Sequence, residues 1–155
     1  MARRGGIGLI AAASALSTFI LPALADEARR PQPGGNGRSP AVNYMTQCQG
    51  CHLPDGRGRP GQVPALNGQL QHFLASDEGR RFLVQVPGSA NARLSDADLA
   101  AVLNWMIRTM SPLRDGGFAA YSAGEVARYR VMKLGNIPAR RAAIVERFPQ
   151  AHPSP

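Results

Sequence analysis

The chain has 155 residues and a formal net charge of +8, from 18 Lys and Arg against 10 Asp and Glu. This length allows one compact domain with a modest core and no more. A basic surface of this kind favours an acidic partner or an anionic membrane face, and it speeds encounter more than it specifies a partner.

The first 25 residues have the pattern of an export signal. Arg3 and Arg4 give a positive start, residues 7–24 form an apolar run broken by Pro22, and small residues up to Ala25 offer a cleavage site. The alternative is a retained membrane anchor, which the interruption and the cleavage site disfavour. We therefore expect an exported protein without stable membrane insertion after signal cleavage.

Folding is expected to begin after a leader. Residues 26–39 are rich in Pro, Gly and Arg without periodic apolar residues, and they predict a flexible segment. Ser39 and Pro40 then predict a helix start, with the serine as N-cap and the proline at the first helical position. Its predicted apolar side consists of Ala41, Val42, Tyr44 and Met45. We expect Met45 to belong to the core.

Two cysteines separated by two residues follow this helix, and a histidine comes directly after the second. The residues are Cys48, Cys51 and His52. One helical turn brings both thiols under the vinyl groups of a haem, which this spacing attaches covalently. His52 is then the proximal ligand of the iron. No second motif of this kind exists, so one haem c with its iron is expected per chain.

The same residues have two other interpretations. A disulfide or redox pair would use both cysteines, but the redox motif follows a buried strand, and a helix start precedes Cys48 here. Zinc needs about four ligands. Beyond the cysteines the chain offers only His52, His72 and His152.

Turns and short helices are predicted next. Residues 53–68 are rich in Gly and Pro, which favours a series of turns over long regular elements. We expect these turns to pack against a planar group, and haem is the expected one. A helical turn carrying His72 is expected over residues 69–74. Ser76 is expected to cap a helix that ends at Pro87.

The most regular apolar pattern predicts a helix that starts after Ser95 and ends at Ser111. Apolar residues recur on one of its faces, at Leu99, Val102, Leu103, Met106 and Met110.

From about Tyr44 to Met110 the sequence resembles the class I cytochrome c family, specifically its small bacterial periplasmic members. The resemblance implies an all-α domain around one covalently bound haem. It also implies that the carbonyl of Pro64 accepts a hydrogen bond from the His52 ring and that Leu66 packs on the porphyrin. Trp105 is expected near a haem edge or propionate, or as a plain core aromatic.

The resemblance fails at the sixth iron ligand. In most of the family this is a methionine in the loop before the last helix, but residues 86–95 contain none. The remaining candidates are Met110, Met106, His72 and Asn91, with water as the alternative. A methionine ligand suits rapid electron transfer, whereas an open site can bind oxygen, nitric oxide or peroxide.

Residues 113–155 exceed what a minimal cytochrome needs. Ser122 is expected to cap a helix through about Leu134, and Pro138 opens a further helix. Residues 151–155 are expected to be disordered. The many arginines of this extension form either a docking surface for an acidic redox partner or the solvated face of helices that brace the haem domain.

We therefore expect a cytochrome c domain over residues 40–112 and a helical extension over residues 113–155. The predicted function is a periplasmic one-electron carrier between a dehydrogenase or reductase and the respiratory chain, not an enzyme. Nucleic acid is a poor candidate partner. The alternatives are a haem sensor, gas-binding protein or weak peroxidase with an open distal site, and a haem-bearing subunit of a larger redox enzyme.

Overall fold

The structure is a computed structural model, and it describes residues 35–113 and 117–148. The predicted export signal, residues 26–34 of the leader, His152 and the C-terminal tail lie outside the described residues. Within them the elements are α1 (Pro40–Gln47), α2 (Gln49–His52), α3 (Leu70–Phe73), α4 (Asp77–Gln85), α5 (Pro87–Ala90), α6 (Asp96–Met110), α7 (Ala123–Arg130) and α8 (Ile137–Val145). The described part of the chain contains no β-strand, which confirms the predicted all-α class. None of these helices has the length and apolarity needed to cross a membrane.

Serine N-caps start the predicted helices. Each serine hydroxyl accepts a hydrogen bond from the backbone N–H three residues later, at 3.0–3.3 Å, for Ser39, Ser76, Ser95 and Ser122. Such a cap stabilises a helix by about 1 kcal/mol relative to alanine, because it satisfies an otherwise unpaired N–H. All four predicted starts are therefore confirmed.

The core is built around α6. All five residues of its predicted apolar face are buried, and Ile107 joins them. Helix α1 packs across α6, where the rings of Tyr44 and Trp105 lie 5.2 Å apart between centroids. Trp105 is therefore in contact with α1.

The buried face of α1 differs from the predicted one. Met45 is 57% exposed, so its expected place in the core is wrong. Helix α1 buries Asn43 and Tyr44 instead, because a polar network fixes its orientation. The side chains of Asn36 and Asn43 are hydrogen-bonded at 3.0 Å, and the Asn36 N–H donates to the buried carboxylate of Asp98. The end of the predicted leader is thus held against α6.

Helices α7 and α8 pack on the domain. A bidentate ion pair joins Arg80 of α4 to Glu125 of α7, with both bonds at 2.9 Å and both side chains mostly buried. Helix α7 ends at Arg130, four residues before the predicted end, because the chain turns at Val131, which is 82% exposed and has no core to pack on.

Arg130 fastens α7 to the segment between α5 and α6. Its guanidinium donates to the carbonyls of Ala90, Ala92 and Leu94, and it pairs with Asp96 at 2.9 Å. These bonds hold in place the methionine-free segment that precedes α6. Arg130 of α7 and Arg80 of α4 thus both fasten the extension to the rest of the domain.

We expect Arg130→Ala to lower the free energy of unfolding by about 2–3 kcal/mol, because three carbonyls and a carboxylate lose a charged donor. Thermal or denaturant unfolding of the purified protein measures this change. The matched control is Arg128→Ala, which removes an exposed arginine from the same helix and should change stability by less than about 0.5 kcal/mol. Equal effects of both substitutions would contradict the bracing role.

Candidate haem site

A cavity of about 310 Å³ lies between the attachment segment, α3, α4, α6 and α8. Most of its lining is apolar. The larger apolar side chains include Leu66, Leu70, Phe73, Phe82, Leu103 and Met106. No carboxylate of the described residues lines it. Its walls therefore suit a flat, largely apolar molecule better than a polar substrate.

Cys48, Cys51 and His52 lie together on one wall of this cavity. Both cysteines are free thiols. Burial raises the pKa of the Cys48 thiol to about 11, so this sulfur is held as a neutral thiol in an apolar setting. Burial also lowers the pKa of His52, and this effect is opposed by the hydrogen bond to the Pro64 carbonyl. The imidazole is thus kept neutral, the form that binds a metal.

The carbonyl oxygen of Pro64 lies 3.1 Å from Nδ1 of His52. This is the contact that the family resemblance implied. With Nδ1 donating, the lone pair of Nε2 is directed away from Pro64 and is free for iron. Leu66, also expected at the site, lines the cavity beside Pro64.

Tyr44 fixes the backbone just after His52. Leu53 has a φ of 66°, a conformation that residues other than glycine rarely adopt. The Tyr44 hydroxyl donates to the Leu53 carbonyl and thereby holds the turn that ends α2. The Trp105 ring contacts Tyr44 and does not line the cavity. Trp105 is partly buried and packs against the core.

The glycine-rich segment wraps back onto the motif. The Gly58 N–H donates to the His52 carbonyl at 3.0 Å, and Gly58 has a φ of +66°. A Cβ atom at Gly58 would overlap the Val63 carbonyl oxygen and lie 2.7 Å from that of Pro64. Only glycine therefore allows the chain to place the Pro64 carbonyl beside the imidazole.

The two methionine candidates for the sixth ligand occupy different places. Met106 lines the cavity. Met110 is equally buried but does not line it. The Met110 sulfur packs against Gly56, whose carbonyl accepts hydrogen bonds from the loop residues Leu66 and Asn67. This position behind the loop keeps Met110 away from the cavity.

The other two candidates are also outside the cavity. The His72 ring lies against Phe148, with 4.9 Å between centroids, and its Nε2 is 3.1 Å from the amide nitrogen of Gln71. Asn91 is exposed at the end of α5. Of the four candidates, Met106 is the one that the described structure brings to the cavity wall.

Two cavity residues come from the extension, and sequence reasoning missed them as site residues. Ile137 and Arg141, one turn apart on α8, line the cavity. The sequence predicted the helix but not which of its residues meet the domain, because only long-range packing decides this. The extension thus supplies a wall of the site.

The residues present fit a covalently attached haem. Two thiols and a neutral imidazole share one wall of an apolar cavity, which is the donor set that such attachment uses. The described residues contain no group of three or more His, Cys, Asp or Glu side chains that could hold a metal ion by themselves. The zinc interpretation therefore lacks the ligands it needs within residues 35–113 and 117–148.

Known proteins of similar sequence point to the same cofactor. The chain is 34% identical over 112 residues to the protein named Cytochrome c-552 of Thermus thermophilus, and the alignment covers 60% of this chain and 86% of that relative. The chain belongs to the c-type cytochrome family. A protein of the same name from Thermus thermophilus strain ATCC 27634 is also 34% identical over 112 residues, with 60% and 76% covered. No family model matches the chain.

As a c-type cytochrome, the protein carries covalently bound haem c with its iron and is an electron carrier. The expectations on cofactor and family are confirmed. An electron carrier of this family works with redox partner proteins, as predicted.

Proposed function

We propose that this cytochrome is a periplasmic one-electron carrier that links a dehydrogenase or reductase to the respiratory chain. The observation that carries the proposal is the placement of Cys48, Cys51 and His52 on one wall of a single apolar cavity. Bound haem c supplies reversible one-electron exchange at its iron. In this role the cysteines form the thioether bonds and His52 is the proximal ligand.

The surrounding residues set the properties of this centre. The Pro64 carbonyl, 3.1 Å from Nδ1, orients the imidazole and makes it a stronger ligand. Leu66 and the other apolar side chains exclude water from the cavity, and a dry site favours the less charged state of the iron. Residues 40–112 form the haem domain in this proposal, and residues from 113 onward complete its wall.

An acidic redox partner is proposed to dock beside α4 and α8. A groove of about 260 Å³ there is lined by three basic residues, Arg81, Lys133 and Arg140, and by one acidic residue, Glu78. Met132 is half exposed among them. Phe82 lines both this groove and the haem cavity. A partner seated on the groove would be separated from the haem by one aromatic side chain, and its negative charge would be attracted by the basic rim.

Expression in a bacterial host with haem-maturation machinery tests the proposed carrier. The purified protein should have the mass of one polypeptide plus one haem, and denaturation should not release the haem. It should accept and return one electron reversibly in a redox titration. A colourless product with the mass of bare polypeptide would overturn the proposal.

We propose Met106 as the sixth ligand, because it is the candidate on the cavity wall. Met106→Leu is then expected to abolish the near-infrared band of methionine-ligated ferric haem and to let the ferrous form bind carbon monoxide. The matched control is Met110→Leu, which replaces an equally buried methionine of the same helix outside the cavity and should leave both properties unchanged. Identical spectra of the unchanged protein and Met106→Leu would contradict this assignment.

The methionine-free segment of residues 86–95 favours one second candidate function, that of a gas-binding protein or weak peroxidase with an open distal site. Carbon monoxide distinguishes the two functions. Prompt binding to the unchanged ferrous protein supports the second candidate, whereas a six-coordinate form that ignores carbon monoxide supports the carrier.

A further inference from the structure

Arg141 is the one arginine or lysine among the described residues that lines the haem cavity. It lies on α8, next to Arg140, and its side chain is half-buried. Its guanidinium carries a positive charge, so a cation faces a largely apolar cavity. Charge in such a setting is unfavourable unless an anion accompanies it.

The neighbouring arginines already have partners within the protein. Arg147 pairs with one carboxylate oxygen of Glu78 at 3.1 Å, and Arg140 lies 3.8 Å from the other. No hydrogen bond or ion pair joins Arg141 to any residue in the described ranges. Among those same residues, no Asp or Glu lines the cavity beside it. The described residues therefore hold Arg141 at the cavity but supply no negative charge to pair with it.

The cofactor brings the missing anions. Haem carries propionate carboxylates on the edge opposite its vinyl groups, and Cys48 and Cys51 fix the vinyl edge. Helix α8 packs against α3 and α4, so Arg141 reaches the cavity from the wall that contains Phe73 and Phe82. We propose that Arg141 pairs with a haem propionate and thereby adjusts the redox potential of the iron. This inference rests on the proposed function, since it requires haem in this cavity.

The pairing has a predictable electrostatic effect. Oxidation adds a positive charge to the haem, and a cation nearby disfavours the oxidised form. A propionate that is paired with Arg141 also stabilises the oxidised iron less, because the guanidinium offsets its negative charge. Removing the guanidinium should therefore stabilise ferric haem and lower the midpoint potential.

Three variants of the haem-loaded full chain test the proposal. Arg141→Gln removes the cavity cation and Arg141→Lys keeps the charge. Arg128→Gln removes the same charge from an exposed position on α7, outside both the cavity and the groove. Midpoint potentials, infrared difference spectra between the oxidised and reduced forms, and carbon monoxide binding rates are measured for each. Thermal unfolding checks that α8 stays docked through buried Ile144.

We expect Arg141→Gln to lower the midpoint potential and to shift the propionate carboxylate bands. Arg128→Gln should leave both unchanged, and Arg141→Lys should retain most of the potential. Equal changes in Arg141→Gln and Arg128→Gln would overturn the proposal, because any surface charge would then have the same effect. A changed carbon monoxide rate in Arg141→Gln with unaltered potential and carboxylate bands would also overturn it, since the guanidinium would then lie over the iron. If Arg141→Gln binds haem but changes neither the midpoint potential nor the carboxylate bands, this inference alone is refuted. If the protein without substitutions contains no haem, the proposed function is refuted.

Discussion

Replacing Cys48 and Cys51 together by alanine is expected to abolish covalent haem attachment. In the proposed site each thiol supplies one thioether bond, and both thiols line the cavity together with His52. Without them the imidazole alone would hold the iron, and haem would be lost on denaturation. Mass spectrometry and the absorbance of the denatured protein measure the result, which should fall from one covalent haem per chain to none.

Controls for this double substitution come from the same segment. Each single variant retains one thiol and should keep some covalently bound haem through one thioether. Met45→Ala changes an exposed side chain of α1 three residues before Cys48 and should leave haem attachment intact. Covalent haem that persists in the double variant would refute the assignment of the cysteines.

Gly58→Ala is expected to disrupt the proximal hydrogen bond to His52. The added Cβ would overlap the Val63 carbonyl and crowd that of Pro64, so the backbone that brings Pro64 to 3.1 Å from the imidazole must move. Strain from the left-handed conformation costs about 1 kcal/mol and the overlap about 2 kcal/mol more. We expect a less stable protein with a weaker proximal ligand and an altered midpoint potential.

Gly61→Ala is the matched control. Gly61 has a φ of +74°, close to the +66° of Gly58, but a Cβ there meets nothing within 4 Å. It should lose about 1 kcal/mol of stability through the conformational strain alone. Denaturant unfolding and a redox titration are measured for both variants. Both should lose stability through backbone strain, but only Gly58→Ala should also displace Pro64 and alter the midpoint potential. Indistinguishable potentials and stabilities for the two variants would contradict this role of Gly58.

Local interactions made the helix starts predictable. At Ser95, for example, the hydroxyl accepts from the N–H of Asp98, so cap and partner are only three residues apart. The haem motif is local in the same way, since its thiols and imidazole fall within five residues. Such features depend on one helical turn of backbone, which nearby residues determine.

Other expectations depended on packing between distant segments. Met45 lies on the exposed side of α1 because Asn43 bonds to Asn36, and Asn36 in turn bonds to Asp98, 62 residues away in the chain. The position of Trp105 is set by its contact with Tyr44, where α1 packs on α6. Spacing along one helix could not give either outcome, because it does not specify which partner covers which face.

The sequence by itself determined an all-α cytochrome with covalent haem, since the attachment motif, the caps and the apolar periodicity of α6 all act over one or two helical turns. Only the tertiary structure decided which candidates surround the cavity. It brought Met106 and Arg141 to the wall and left Met110 behind the loop. The reason is physical: a cavity is formed where segments far apart in the chain meet, and its lining is fixed by how they pack.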